Sequence, residues 1–563
     1  MFGIELIDRR VSAARVAAVC PVLLLALTLL AAGPAQAQFE GVAWTQKISD
    51  GVGGFTGELD DGDRFCSTTG LGDLDGDEIP DLAVGAAWDD DGGADRGAVW
   101  ILFMNSDGTV DHHQKISTTE GGFAGALHDS DWFGWAVEAI GDVDGDGVVD
   151  IAASAIGDND GGENAGAVWI LFLNADGTVH GQQKIGGSPF GNFGELEMAD
   201  RFGFSVSALG DFDGDGVPDL AVGSPFDNDG GEAQGAFYML FLNQDGTIKD
   251  YQKVSATRGG FTGEIGPGST FGLAMALGDL DGDGVLDLCV GESEDDEGGL
   301  NHGAVWILFM NTDGTVKGHQ KINDTVGGFA GELDDDDLFG EWVAGVGDLD
   351  GDGNVDVVVG AILDDDGGEN AGALWVLHLN ADGTVAWNWK ISETAGGFDH
   401  DVDDGDLFCI DPSPVGDIDG DGMVDLAVGA QGDDDGGTNR GAVYILFLSP
   451  SVVSIEDPGS ADQPTDGDIL PARSHLVASV PNPFNPATTV HFELARAGDA
   501  TLGIYDVTGR LIRRFDLNDR PVGANSVHWD GTDLRGRAVA SGSYIVRLET
   551  VEASDTMRVT LIK

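Results

Sequence analysis

Lysine and arginine are scarce in this chain. They number 27 of 563 residues, against 99 aspartates and glutamates, for a formal net charge of −72. A field of that sign opposes nucleic acid and anionic lipid as partners. Cysteine is scarcer still, at four residues. Only Cys66, Cys289 and Cys409 lie beyond the N-terminal segment, too few for a disulfide framework, so the fold must rest on its core and on bound metal. One apolar run, Val16 to Ala32, is long; no other could span a bilayer. No Gly-x-Ser-x-Gly nucleophile motif and no phosphate-binding loop is present.

The N-terminal run reads as a secretory signal over residues 1–37. Arg9, Arg10 and Arg15 precede it, and Ala35-Gln36-Ala37 fits a small-residue cleavage site. The charge then divides unevenly. Residues 38–450 hold 13 basic and 82 acidic residues, a net of −69, whereas residues 472–563 hold 11 and 10, a net of +1. That shift predicts a domain boundary. Residues 451–472, rich in Pro, Asp, Ser and Gly, read as a linker, and residues 473–563 as a separate module.

What the chain has in abundance is a nine-residue acidic loop. Six copies start at Asp73, Asp142, Asp211, Asp279, Asp348 and Asp417, at intervals of 69, 69, 68, 69 and 69 residues. Carboxylates at loop positions one, three, five and nine, with a carbonyl at seven, form an oxygen cage for a hard cation. Ca²⁺ takes about six to eight oxygens and tolerates irregular geometry. The predicted ligands are Asp73, Asp75, Asp77, Ile79 and Asp81; Asp142, Asp144, Asp146, Val148 and Asp150; and Asp211, Asp213, Asp215, Val217 and Asp219. In the second half they are Asp279, Asp281, Asp283, Val285 and Asp287; Asp348, Asp350, Asp352, Asn354 and Asp356; and Asp417, Asp419, Asp421, Met423 and Asp425. The expectation is about one Ca²⁺ per repeat, up to six. Position six is glycine except at Glu78, which must adopt a positive φ, so the first site is expected to be the weakest.

Each repeat reads as four short strands. In the second, Phe133–Ile140 leads into the metal loop, Ile151–Ile156 and Gly166–Leu173 are apolar throughout, and Val179–Ile185 follows an Asp-Gly turn. Four strands per period of about 69 residues predict a four-stranded blade, and a ring of blades is a β-propeller. The aromatics Trp100, Trp169, Tyr238, Trp306, Trp375 and Tyr444 read as packing between blades. The sixth repeat lacks its fourth strand, and Val42–Ser49 supplies the missing Gln-Lys-Ile pattern. The fold class is therefore all-β: a six-bladed propeller over residues 38–450, closed by its N-terminal strand, then a small β-sandwich.

Phe-Gly before the loop, the Asp-x-Asp-x-Asp-Gly-x-x-Asp loop, and Gly-Ala after it (Gly85-Ala86, Gly360-Ala361, Gly429-Ala430) together resemble FG-GAP repeats. These build the propeller of integrin α subunits and of many bacterial surface proteins. The resemblance implies Ca²⁺ in the loops between strands one and two, and recognition of ligands on the opposite face. That face carries Asp-rich loops such as Asp364-Asp365-Asp366-Gly367-Gly368. It reads either as a solubilising rim or as further weak cation sites and a docking surface for basic or cation-bridged ligands. The chain departs from the family in having six copies rather than seven, in Glu78, and in Cys66 and Cys409 at the Gly of Phe-Gly. Those two cysteines stand in blades that meet at the ring seam, which raises a disulfide clasp against two buried thiols as the alternative.

The C-terminal stretch from Val480-Pro-Asn-Pro-Phe-Asn-Pro486 to Arg558–Lys563 has short strands and turn signals of an Ig-like sandwich. It resembles the C-terminal domain of flagellar hook-capping proteins, and equally the sorting domains read by type IX secretion. The resemblance implies a secretion-machinery partner and attachment at a bacterial cell surface.

The leading reading is a secreted or surface-displayed calcium-binding propeller for adhesion or recognition of an extracellular protein or glycan, without catalysis. The alternatives are a polysaccharide-active hydrolase or lyase, or a purely structural surface component. A glycosidase needs an acid pair set apart from the repeat, and nearly every acid here belongs to it. A sialidase needs an arginine cluster, and the repeats hold only Arg64, Arg96, Arg201, Arg258 and Arg440. The histidines show no metal-ligand spacing.

Overall fold

The computed structural model describes residues 37–187, 196–398, 400, 402–452 and, with short breaks, 475–561. The expected signal, apart from Ala37, and nearly all of the expected linker lie outside the described residues.

Apolar runs flanked by Asp and Gly become strands because alternation and β-branching suit a pleated ladder, while the glycines take the turns. The first blade has the strands Phe65–Gly72, Asp81–Ala86, Ala98–Met104 and Val110–Ile116, hydrogen-bonded in that order. Its second and third strands are buried throughout. The fourth is not: it buries Val110 and Ile116 at its ends and wets the residues between. Four more blades repeat this order. The sixth joins Phe408–Gly416, Asp425–Ala430 and Ala442–Val452 to the N-terminal strand Ala37–Ile48. Lys47 there pairs with Tyr444 and Ile48 with Val443. Closure by the chain's own start covers the edge of the third strand and makes the sixth blade four-stranded like the others.

The Phe-Gly and Gly-Ala signals meet across blades. A Cβ on Gly85 would stand 1.9 Å from the carbonyl oxygen of Gly134 in the next blade, so only glycine permits the contact. The same contact recurs from Gly429 to Cys66 and from Gly360 to Cys409. This disposes of the disulfide clasp. Each cysteine faces the glycine of the preceding blade, so Cys66 fills the seam between blades six and one, and Cys409 that between blades five and six. Both are buried free thiols. Ladder-free amides on the inner strands are satisfied by side chains of the preceding blade. Val137 N donates to Ser67 Oγ (3.1 Å), Ala139 N to Thr69 Oγ1 (3.1 Å), Ala208 N to Glu138 Oε1 (3.0 Å) and Ala276 N to Ser207 Oγ (2.9 Å).

The strand-three aromatics sit in the cores between blades. Trp100 shares one core with Val84 of its own blade and Val443 of the sixth. It meets Phe55, from the connection entering its blade, edge-on at 5.1 Å; Trp169 with Phe123 and Trp306 with Phe261 repeat the contact.

The C-terminal module has a three-stranded sheet (His475–Val480, Thr488–Leu494, Gly523–Trp529) and a four-stranded sheet (Leu511–Arg520, Gly498–Asp506, Gly542–Glu549, Ser554–Leu561). Phe492, Trp529, Leu502, Val546 and Val559 from both sheets form its core.

Candidate metal centre

The six acidic loops stand between the first and second strands of their blades. Their geometry follows from the Asp-x-Asp-x-Asp-Gly order. In blade two, Asp142 Oδ1 accepts the amides of Gly145 (2.7 Å) and Asp146 (2.9 Å), and Oδ2 that of Gly147 (2.9 Å). Asp146 N also donates to Asp144 Oδ1 (3.1 Å), and Val148 N to Asp146 Oδ1 (2.9 Å). Short side chains thus curl the loop around its own backbone. Asp150 at position nine is fully buried; it accepts Val143 N at 2.9 Å and Leu173 N at 3.1 Å, which ties the loop to the end of strand three. Asp81, Asp219, Asp287 and Asp425 repeat that tie.

Burial pushes the position-nine carboxyls up, to about 6 for Asp81, Asp150 and Asp219 and about 7 for Asp425, and neighbouring loop carboxylates add to the effect. Carboxylate oxygens of Asp73, Asp75 and Asp81 converge within 4.8 Å of one another, as do those of Asp142, Asp144 and Asp150 and of Asp211, Asp213 and Asp215. Converging, mutually repelling oxygens with lone pairs left over fit a hard divalent cation. Glu78 takes φ 75, as the missing glycine requires.

The structure adds what loop reading missed. The second residue of each outer strand faces positions three and five of its loop in blades two to four. Lys249 Nζ lies 2.5 Å from Asp213 and also pairs with Asp215; Lys317 lies 2.9 Å from Asp281 and also pairs with Asp283. These hydrogen bonds hold the Asp215 and Asp283 carboxyls below the usual range. His180 Nε2 stands 3.4 Å from Asp146 and 3.6 Å from Asp144. In blade five, His378 Nδ1 lies 3.0 Å from Asp356, and Trp387 Nε1 donates to Asp350 at 3.0 Å. So His180 and His378, whose spacing gave no metal signal, do come to acidic loops. For His180 the available clue was the column across repeats: Asp111, His180, Lys249, Lys317, Ala386.

The opposite rim is also acidic, and two of its acids in each blade are already paired with a lysine. The lysine of each outer strand reaches the first and third acids of the loop after strand two. Lys184 Nζ lies 2.5 Å from Asp158 and 2.7 Å from Asp160, over the Trp169 ring. Lys115, Lys253, Lys390 and Lys47 do the same with Asp89/Asp91, Asp227/Asp229, Asp364/Asp366 and Asp433/Asp435. Lys321 pairs with Asp295 and Glu297. These loops, counted above as possible further cation sites, hold an internal ammonium instead.

Three acids stand outside the repeat, on inner strands. Glu138 accepts Thr69 Oγ1 at 3.1 Å, Asp411 accepts Ser67 Oγ at 2.6 Å and Glu341 accepts Ser293 Oγ at 2.5 Å. Burial pushes Asp411 up to about 8 and Glu138 to about 7.

Family models agree with the repeats and the terminal sandwich. The FG-GAP repeat model matches residues 65–102 and 413–446, the FG-GAP-like repeat model residues 211–290, and the FlgD Ig-like domain model residues 482–554. Integrin alpha pat-2 of Caenorhabditis briggsae is 30% identical over 249 residues, covering 41% of this chain and 18% of its own length. Integrin alpha-5 of Xenopus laevis is 36% identical over 166 residues, covering 28% and 14%. The chain thus spans less than a fifth of either relative. Among solved structures, FlgD from P. aeruginosa is 18% identical (16% of this chain, 67% of that chain, TM-score 0.12). PorZ, an essential surface component of the type IX secretion system of Porphyromonas gingivalis, is 15% identical (86% and 58%, TM-score 0.35). The class is a six-bladed β-propeller with a terminal sandwich. Its blades are FG-GAP repeats, similar to those of integrin α chains, and the sandwich is similar to the FlgD Ig-like domain.

Proposed function

We propose that this chain is a secreted or cell-surface calcium-binding propeller that serves extracellular recognition or adhesion and performs no catalysis. The observation that carries the reading is the set of acidic loops on one rim, with position-one and position-nine carboxylates already fixed by backbone amides. The residues that would hold Ca²⁺ are those predicted from the sequence, with affinities graded by Glu78 in blade one and by Lys249 and Lys317 in blades three and four. Bound Ca²⁺ would cancel the repulsion among converging carboxylates and stiffen each junction between strands one and two. The similarity to integrin α chains supports an extracellular protein or glycan as ligand. The FlgD-like sandwich supports a role in export or surface attachment. The non-repeat acids Glu138, Asp411 and Glu341 each bind a hydroxyl of another segment, which suits a structural role better than acid–base chemistry.

Calorimetric titration with Ca²⁺, paired with melting in chelator, tests this. Each site occupied at 100 times its Kd adds about 2.7 kcal/mol to stability. Chelator should lower the Tm steeply, with Mg²⁺ a poor substitute because it demands tighter octahedral geometry. An unchanged melting curve at low ionic strength would rule the calcium scaffold out.

A further inference from the structure

In the propeller's acid-rich surroundings, lysine and arginine side chains find carboxylates. Arg96 pairs with Asp129, Arg258 with Asp229, Arg440 with Asp50 and Asp61, and all eight lysines of residues 38–450 with the loop acids named above. Two guanidiniums differ. Among the described residues, neither Arg64 nor Arg201 has a side-chain ion pair or hydrogen bond. Both lie on aromatic rings instead. Arg64 Cζ is 4.3 Å from the centre of the Trp88 ring; Arg201 Cζ is 5.7 Å from that of Trp132 and 5.3 Å from that of Phe226.

These rings form one strip. Trp88 is 6.2 Å from Trp132 and 5.3 Å from Trp135; Trp135 is 5.0 Å from Phe204, which is 6.1 Å from Phe226. The strip lies on the rim opposite the metal loops, because Arg64, Trp132 and Arg201 precede inner strands and Trp88 and Phe226 follow second strands. Apart from buried Phe204, its members are half-buried, so solvent reaches them. Arg64, Trp132 and Arg201 share a left-handed backbone, φ 54, 56 and 51, with Thr270, Leu338 and Leu407 of the other blades. The scaffold is therefore six-fold, and only blades one to three place a cation or an indole at this left-handed position; Trp342 of blade five reaches the strip from its inner strand, 6.1 Å from Phe204. Burial lowers the Arg201 pKa with no carboxylate to offset it.

We propose that this strip binds an apolar carboxylate, its acid taken by the guanidinium of Arg64 or of Arg201 and its flat or hydrocarbon body laid along Trp88, Trp132 and Trp135. A guanidinium is a planar fork that matches a carboxylate two bonds at a time, and it stacks on indole while doing so. The class of ligand follows from what else the strip offers. Hydroxyls of a sugar acid or amides of a peptide would lose water and find mostly rings, because the unpartnered indole nitrogens of Trp132 and Trp135 are buried, and this costs free energy. A polyanion would meet the surrounding net charge of −69. A cationic ligand would be repelled by the two guanidiniums. The proposal deepens the recognition reading of this rim and does not depend on calcium in the loops.

Titrating the full chain in Ca²⁺ with 4-phenylbutyrate, by calorimetry and tryptophan fluorescence, tests it. Binding is expected, weakened at least about tenfold in the uncharged 4-phenylbutanol, the loss typical of a charge-assisted hydrogen-bond pair. Arg64→Gln with Arg201→Gln should produce the same loss while leaving Tm and Ca²⁺ binding unchanged. Should that variant fold poorly, Arg64→Lys with Arg201→Lys keeps the charge, removes the fork, and should still weaken binding. Absence of binding, equal binding of the alcohol, or undiminished binding in the substituted proteins overturns the proposal. So does a preference for glucuronate or an acidic peptide over phenylbutyrate. The Ca²⁺ titration on the same sample reports separately on the scaffold.

Discussion

One rim of the ring carries loops such as Asp142–Asp150, whose converging carboxylates have only backbone amides for company in blade one and little more in blade two. The other carries loops such as Asp158–Asp160, whose carboxylates close on Lys184. The two rims have similar composition and differ in how far their carboxylates are neutralised. The difference lies in where the outer strand delivers its cation. Its Gln-Lys-Ile end brings ammonium to one rim in every blade, and its other end brings one only through Lys249 and Lys317. An acidic loop therefore reads as a cation site only after the neighbouring strand has been checked for a cation of its own.

The largest effect should come from breaking an internal pair. Lys253→Met leaves Asp227, almost wholly buried, facing no cation. Stranding one buried partner costs about 3–5 kcal/mol, so denaturant unfolding should show a loss of that size, partly restored by adding Asp227→Asn. On the rim of acidic loops the matching test is chelation of the proposed Ca²⁺.

A comparable effect, confined to high pH, should appear between the rims, at Asp411. Its folded pKa, about 8, stands above the ordinary carboxylate value of 3.8 because burial disfavours the charge. The stability it supports is full below about pH 4 and is lost as pH rises through about 8. Asp411→Asn should flatten that decline, stabilising the protein at pH 8 and changing little at pH 4. Melting curves that shift equally at both pH values would contradict it.

Glu78→Gly should relieve a left-handed residue with a side chain, worth about 1–2 kcal/mol, and tighten Ca²⁺ in blade one. Melting with and without chelator separates the two gains. The least visible in stability is Lys249→Ala with Lys317→Ala. Both lysines are exposed enough that Tm in chelator should hardly move, while calorimetry should show tighter Ca²⁺ binding in blades three and four. Unchanged affinities would mean that the ammoniums do not compete.

The residues themselves determined much of this molecule. The recurrence of Asp-x-Asp-x-Asp-Gly at a near-constant interval, the four apolar runs per period and the missing last strand of the sixth repeat fixed a six-bladed ring and the strand that closes it. They could do so because strand pairing within a blade is local and hairpin-driven. Contacts between blades were decided by tertiary structure alone. Cys66 and Cys409 occupy equivalent positions, but each inner strand packs on the blade before it, so the ring carries them to different seams. Lys184 and Asp158 pair because they sit on neighbouring elements of one blade, whereas Arg64 and Arg201 meet a single aromatic strip only because three blades turn the same edge to one rim. Periodicity records what each repeat does for itself; the curvature of the ring decides which of its exceptions become neighbours.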